Sequence, residues 1–233
     1  MFETDVTDFE IATYGGSLFV VSFEGRPYVI TAKHNLHDFN WRQLVILDSR
    51  FGRNVAGLDG AFFITSPEND AEGSDVADIV IITLAESVDL SFFRPAPFDL
   101  SLGSAAVAWP GDELAIYAAL SQVSYISDKQ ISAQFAELGF QDTGPHSHDP
   151  VLRSAIAKWE GTEFSAVEGM SGAPVYNMTR DGISGMVVRG VMHDDGMAHA
   201  HYIDIQDIFR LIVRVHHGVE YDRYIKLVPR AGE

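Results

Sequence analysis

Residues 17–34 read Ser17-Leu-Phe-Val-Val-Ser-Phe23-Glu-Gly-Arg-Pro27-Tyr-Val-Ile-Thr-Ala32-Lys-His34. Two apolar, β-branched runs flank Glu24-Gly25-Arg26-Pro27, a cluster of turn-forming residues, so the stretch predicts a β-hairpin. Its second strand runs directly into a histidine. A general base needs a fixed ring and a pKa near neutrality, and the end of a packed strand supplies the fixed ring. Taken singly, a histidine at a strand end is more often structural.

The same pattern of short apolar runs broken by turn residues continues in both directions, which predicts an all-β chain. Further strands are expected at Gln43–Leu47, Ala61–Thr65 and Ile79–Leu84, enough with the hairpin for one barrel. Ser91–Ser104, with Pro95, Pro97 and Gly103, reads as a linker. A second set is expected at Glu113–Ala118, Val123–Ile126, Ser154–Ala157, Ala173–Tyr176, Met186–Met192 and His201–Ile205. Gln141–Pro150 reads as an exposed loop. Ile205, Ile208, Phe209, Ile212 and Val215/His216 follow helical spacing, and Asp204 is placed to cap that helix. The expected organisation is residues 1–100 as a first barrel and 101–233 as a second, closed by the C-terminal helix.

Composition narrows the function. The chain has 233 residues, no cysteine, and 16 basic against 33 acidic residues, a formal charge of −17. Without cysteine there is no disulfide framework, thiol nucleophile or thiolate metal site. The acidic surface repels nucleic acid and anionic lipid and keeps the chain soluble, and no run is long enough for a membrane span. The acidic N-terminus lacks the apolar core of a signal peptide, so a cytoplasmic location is expected, or secretion if a leader preceded it.

Two further segments carry chemistry. Asp78 opens the apolar run Asp78-Ile-Val-Ile-Ile-Thr-Leu84, where a carboxylate must be paired or hydrogen-bonded. Glu168-Gly-Met-Ser171-Gly-Ala-Pro-Val-Tyr176 sets a serine between glycines ahead of a strand. Such a turn can bring backbone N–H groups to one point. A hydroxyl becomes a nucleophile when a base takes its proton, and the base works best when a carboxylate fixes its tautomer. His34, Asp78 and Ser171 occur in that order, with gaps of 44 and 93 residues. His34 and Asp78 fall in the first strand set and Ser171 in the second, so their site would lie between the two.

These segments resemble those of the chymotrypsin-like (trypsin-like) serine peptidases. Thr31-Ala32-Lys33-His34 is similar to their Thr-Ala-Ala-His, Asp78-Ile-Val-Ile-Ile-Thr-Leu to their Asp-Ile-Ala-Leu-Leu-x-Leu, and Gly169-Met-Ser171-Gly-Ala-Pro to their Gly-Asp-Ser-Gly-Gly-Pro. The resemblance spans roughly residues 15–210. It implies two six-stranded antiparallel β-barrels with a C-terminal α-helix, and a serine endopeptidase acting on polypeptides without a cofactor or metal. It also implies that Ser171 is nucleophile, His34 base and Asp78 its orienting acid, with Asp75 the rival. The backbone N–H groups of Gly169 and Ser171 would form the oxyanion hole.

Met170 stands where zymogen-activated members carry an aspartate that pairs with a newly cut N-terminus. The resemblance therefore implies a site needing no proteolytic maturation, closest in style to bacterial members such as the HtrA/Deg and glutamyl-endopeptidase groups. No second module such as a PDZ domain is expected after residue 210.

The family's side-chain pocket corresponds to segments around Ser165, His193 and Ala200. Ser165 stands where trypsin has aspartate, which argues against a plain arginine/lysine pocket. His193, His199 or His201 could recognise an acidic or amide side chain, and Asp194 or Asp195 a basic one, although residues of this kind more often sit on the rim and face solvent. His146, Ser147, His148 and Asp149 alternate on an expected loop without a third metal ligand. His216 and His217 are expected to interact with the negative end of the helix.

The alternative reading is a binding or signalling module of the same fold, its site inactive or gated by a regulatory protein partner. Glu68–Asp75 or Gln141–Pro150 are the candidate occluding segments. An α/β-hydrolase esterase is disfavoured, because that fold orders its triad Ser, Asp, His.

Overall fold

The computed structural model describes residues 2–4, 12–14, 17–36, 44–47, 55–64, 78–88, 90–93, 96–100, 103–119, 125–127, 130–132, 135–149, 151–158, 169–193, 196–218 and 225–227. Among these residues the structure is β apart from one α-helix and short 3₁₀ turns. In order come β1 (Phe2–Thr4), β2 (Ala12–Tyr14), β3 (Phe19–Phe23), β4 (Arg26–Ala32), β5 (Leu44–Leu47), β6 (Val55–Ile64), β7 (Ile79–Leu84) and β8 (Phe98–Asp99). They form one sheet, ordered β2-β1-β5-β6-β7-β4-β3-β8. Next follow β9 (Glu113–Ala119), β10 (Tyr125–Ser127), β11 (Gln130–Ser132), β12 (Phe135–Pro145), β13 (Leu152–Ala157), β14 (Pro174–Asn177), β15 (Gly182–Met192) and β16 (Ala198–Asp204). Six of these close a barrel in the order β12-β13-β16-β15-β14-β9, while β10 and β11 pair separately. Helix α1 (Ile205–His217) follows, and β17 (Ile225–Leu227) returns to pair with β6 of the first sheet.

The β3–β4 hairpin is tighter than the sequence suggests. Only Glu24 and Gly25 form the turn, both with positive φ (49° and 76°), the conformation that two-residue hairpins between twisted strands require. Arg26 and Pro27 already lie in β4, opposite Phe23 and Ser22. Pro27, which has no N–H to give, precedes the stretch of β4 that pairs with β7, beginning at Tyr28.

The continuous apolar runs of β4 and β7 reflect burial on both faces. Tyr28, Ile30 and Ala32 of β4 and Ile79 and Ile81 of β7 pack with β15, β16 and α1. Val29, Val80 and Ile82 point the other way, into a core with Leu36, Ala61 and Phe63. The first of these cores joins the sheet to the barrel. A third fills the barrel itself with Leu114, Ile116, Phe140, Val175 and Tyr202.

Gln141–Pro150 is not one loop: residues 141–145 belong to β12, an 11-residue strand. The strand has a bulge between Asp142 and Gly144, where Gly144 takes φ +101°. Asp142 is buried because Arg153 of β13 pairs with it (Nη2–Oδ1 2.7 Å, Nε–Oδ2 3.1 Å) and Tyr202 of β16 donates its hydroxyl to it. A glycine at a bulge and a paired carboxylate gave this strand a loop-like composition.

Asp204 ends β16 and caps α1, its Oδ1 accepting from the Gln206 N–H at 2.8 Å. His216 does more than face the end of the helix. Its Nδ1 lies 2.7 Å from the Tyr28 hydroxyl and its Nε2 3.1 Å from Glu24, so it ties α1 to the β3–β4 hairpin.

Candidate active site

β4 delivers His34 into the 3₁₀ turn Lys33–Leu36, and Asp78 is the residue before β7, the neighbour of β4. The pairing Ala32↔Ile79 sets the next residues of both chains side by side. The Lys33 N–H then donates to the Asp78 carbonyl at 3.1 Å, and the His34 N–H to Asp78 Oδ1 at 2.8 Å. The other carboxylate oxygen lies 2.6 Å from His34 Nδ1. With a carboxylate at that distance Nδ1 carries the proton and Nε2 of the neutral ring is the basic nitrogen. The His34 side chain is 49% exposed and that of Asp78 19%.

Ser171 lies in the turn Gly169–Ala173 that leads into β14. The turn is closed by the Ala173 N–H donating to the Met170 carbonyl at 2.8 Å. It is fastened to β15 by Gly172 N–H to Val187 O at 2.8 Å and Val187 N–H to Ala173 O at 2.9 Å. The Met170 side chain is buried in the barrel core and anchors the turn from below. Gly169 and Gly172 adopt φ of +94° and +85°, a region open to glycine and strained for other residues. Among the described residues no backbone carbonyl accepts from the N–H of Gly169 or Ser171.

Three polar residues join the two halves of the site. The Ser171 carbonyl accepts from the Ser17 N–H at 3.2 Å and from Asn35 Nδ2 at 3.0 Å. The Ser17 hydroxyl donates to the Gly169 carbonyl at 2.5 Å. The Ser17 carbonyl accepts from Thr31 Oγ1 at 2.8 Å, with Asn35 Nδ2 at 3.4 Å, and Thr31 Oγ1 also accepts from Asn35 Nδ2 at 3.0 Å. The main chain of Ser171 is thus bonded to the residue that follows His34. All three polar residues are buried. Sequence reasoning gave none of them a role. The available signal was polar groups bordering apolar strands: Ser17 ahead of β3, and Thr31 and Asn35 on either side of His34.

Of the other expected site residues, some fall among the described residues and some do not. Ser165 and Asp75 lie outside the described residues, as do Asp194, Asp195 and Glu68–Asp75. His193 is exposed just past β15, its ring 3.9 Å from that of His199. Ala200 is buried inside the barrel, opposite Ala155 of β13 and Gly190 of β15. The His146 ring uses Nδ1 to accept from the N–H groups of His148 (3.3 Å) and Asp149 (3.1 Å), which closes a turn. Among the described residues no group of three histidine, aspartate or glutamate side chains is disposed to hold a metal ion.

Comparison by sequence finds no matching family model and no curated protein with significant similarity. Comparison by structure finds many neighbours. A thermostable serine protease, AL20, from an extremophilic microorganism superposes with a TM-score of 0.53 at 15% identity, over 90% of this chain and 91% of that one. A mutant of human heparin binding protein (CAP37) does so with a TM-score of 0.56 at 13% identity, over 93% and 90%. The closed barrel, the second sheet and the C-terminal helix are the chymotrypsin-like fold.

Proposed function

We propose that this chain is a serine endopeptidase that cleaves polypeptides through an acyl-enzyme on Ser171, with His34 as general base and Asp78 orienting it. The observation that carries the reading is the grip of Asp78 on His34. One carboxylate oxygen holds the ring at Nδ1 and the other holds the backbone N–H of the same residue. That leaves Nε2 basic, while Asn35 bonds the Ser171 main chain next door. In the proposed cycle Nε2 takes the Ser171 proton as the hydroxyl attacks the scissile carbonyl, then returns it to the leaving amine. Water hydrolyses the acyl-enzyme by the same route. The N–H groups of Gly169 and Ser171 stabilise the oxyanion.

Two features fit a polypeptide substrate and a site built without cleavage of a precursor. β15 pairs with β14 only as far as Met186, yet runs on beside β16 to Met192. Its other edge from Val188 onward, immediately beyond the nucleophile turn, suits an extended peptide. Met170 fills the barrel core instead of awaiting a charged partner. His193, at the end of that edge, is placed to act as one determinant of side-chain preference.

The alternative is a binding module on the same fold, its site idle or opened by a partner. The fold serves both uses by name, one structural neighbour being a serine protease and another a heparin binding protein. A polyanion such as heparin is a poor match for a chain of charge −17. The deciding experiment treats the folded protein with a fluorophosphonate and maps the adduct by peptide mass. Peptide-library cleavage runs in parallel, with Ser171→Ala as control. An adduct on Ser171 together with cleavage lost in the control supports the peptidase. Absence of both between pH 6 and 9 supports the idle module.

A further inference from the structure

We infer that Ser17 is a positioning residue, which with Asn35 holds the nucleophile turn in the conformation that presents two N–H groups to an oxyanion. The inference rests on the reading of Ser171 as the nucleophile. The N–H groups concerned belong to the peptide units entering Gly169 and Ser171: the first turns with the backbone on entry to Gly169, the second with that of Met170 and Ser171. Gly169, at φ +94°, has no Cβ to keep it from other orientations. A turn built on glycine needs an external hold, and Ser17 supplies it at two points. Its hydroxyl fixes the Gly169 carbonyl and its N–H fixes the Ser171 carbonyl. The peptide unit between them, which carries the Ser171 N–H, is suspended between two fixed neighbours.

Ser17 is itself held. Thr31 Oγ1 and Asn35 Nδ2 both donate to its carbonyl, and Asn35 gives a second bond to the Ser171 carbonyl. Ser17 is only 5% exposed, so water competes poorly for its hydroxyl. The fit leaves no slack: a Cβ on Gly172 would lie 2.0 Å from the Ser17 carbonyl oxygen. The clamp consists entirely of side chains and main chain present in the folded chain, so it needs no new N-terminus to form.

The test compares the parent protein with Ser17→Ala, which deletes the hydroxyl and keeps the N–H, and Ser17→Thr, which restores a hydroxyl. Two readouts are taken at a temperature where all three are folded. Hydrogen exchange reads the amides of Gly172 and Ala173, whose bonds to Val187 and Met170 depend on the turn staying closed. Steady-state kinetics on the best library peptide, with inhibition by a matching peptide boronate, reads the oxyanion site. Ser17→Ala is expected to speed exchange at these two amides. It should lower kcat about 10- to 100-fold with little change in KM, and weaken the boronate in step with kcat/KM. Ser17→Thr should recover most of each effect. Unchanged exchange in Ser17→Ala overturns the clamp, as does kcat within about twofold of the parent. A Ser17→Thr protein no better than Ser17→Ala also overturns it, since it assigns the effect to packing. Should Ser17→Ala not fold, Ser17→Cys, of similar size and a weak donor, takes its place. If the parent neither labels nor cleaves, the peptidase reading falls, and the exchange comparison still decides whether Ser17 holds the turn.

Discussion

The amide of Asn35 donates to the carbonyl oxygen of Ser171 at 3.0 Å across 136 positions of sequence. Asn35 directly follows the residue gripped by Asp78, so this bond, together with those from Ser17, ties two segments that share neither a sheet nor a barrel. Packing alone would allow the barrel to slide on the sheet by fractions of an ångström. Hydrogen bonds between buried groups lose energy with such a displacement and give the junction a definite register.

Gly172→Ala should cripple folding. The added Cβ would sit 2.0 Å from the Ser17 carbonyl oxygen and 2.7 Å from Thr31 Oγ1, at a φ of +85°. Steric overlap with main chain adds to the backbone strain, and a loss of at least about 4 kcal/mol is expected. Gly111 is the control. It has a φ of +96° with nothing near the added Cβ, so Gly111→Ala should cost only about 1–3 kcal/mol. Urea denaturation of both variants gives the comparison, and equal losses would show that the close approach to Ser17 is unimportant.

Asp78→Asn should leave a folded protein with little activity. The amide can keep the bond to the His34 N–H through its oxygen, but an NH₂ facing Nδ1 selects the wrong tautomer and puts the proton on Nε2. A fall in kcat of about 10⁴-fold is expected from this exchange in a triad. A shallow loss, within about tenfold, would mean that His34 is not the base or that another carboxylate orients it. Fluorophosphonate labelling rates measure the same step without a substrate.

How far these residues were legible in the sequence follows from the range of their interactions. His34, Asp78 and Ser171 stood out because each sits where a local pattern changes, from apolar strand to polar residue or from glycine to strand. The barrel strands β9, β13, β14, β15 and β16 and helix α1 were legible for the same reason. Strand β12 was not, because its polar stretch is stable only through Arg153 and Tyr202, which come later in the chain. Ser17 and Asn35 were invisible for a related reason. Nothing within ten residues of Ser17 explains a buried serine, and its partners Gly169 and Ser171 lie more than 150 positions away. The strand β17 and the pairing of β1 with β5 likewise depend on edges elsewhere in the chain.

Arg153→Met should destabilise the barrel by about 3–5 kcal/mol, the usual cost of leaving a buried charge unpaired. Asp142, whose side chain has no exposed surface, would keep only the Tyr202 hydroxyl and the Gly144 N–H as donors. The double variant Asp142→Leu/Arg153→Met removes both charges and should recover a large part of the loss. Because the pair lies in the barrel wall, activity per folded molecule should change little in either variant. Thermal unfolding provides the check, with roughly 2–4 °C of shift per kcal/mol for a chain of this length. Additive losses in the double variant would refute the pairing argument.

The stability of the protein should fall on acidification through a window set by His201. Burial, reinforced by the neighbouring His146, Arg189, His199 and His193, holds the imidazole at a pKa of about 4, below its ordinary value of 6.5. Its ring lies against that of His146, with centroids 4.6 Å apart, and its Nδ1 is 3.1 Å from the Ser154 hydroxyl. The folded state therefore keeps His201 neutral where the unfolded chain would protonate it. Stability from this group is fully present above about pH 6.5, declines as the unfolded chain takes up its proton, and levels off below about pH 4. The full loss is at most about 3.5 kcal/mol, at about 1.4 kcal/mol per pH unit. His201→Gln retains a polar group for Ser154 and cannot titrate, so its stability should depend less on pH between 6.5 and 4 even if its absolute stability at pH 7 is lower. Carboxylates titrate in the lower part of the same range in both proteins and cancel in the difference. Denaturation midpoints at half-unit steps of pH test it, and parallel curves for parent and variant would mean that the buried ring does not set the acid limit of the fold.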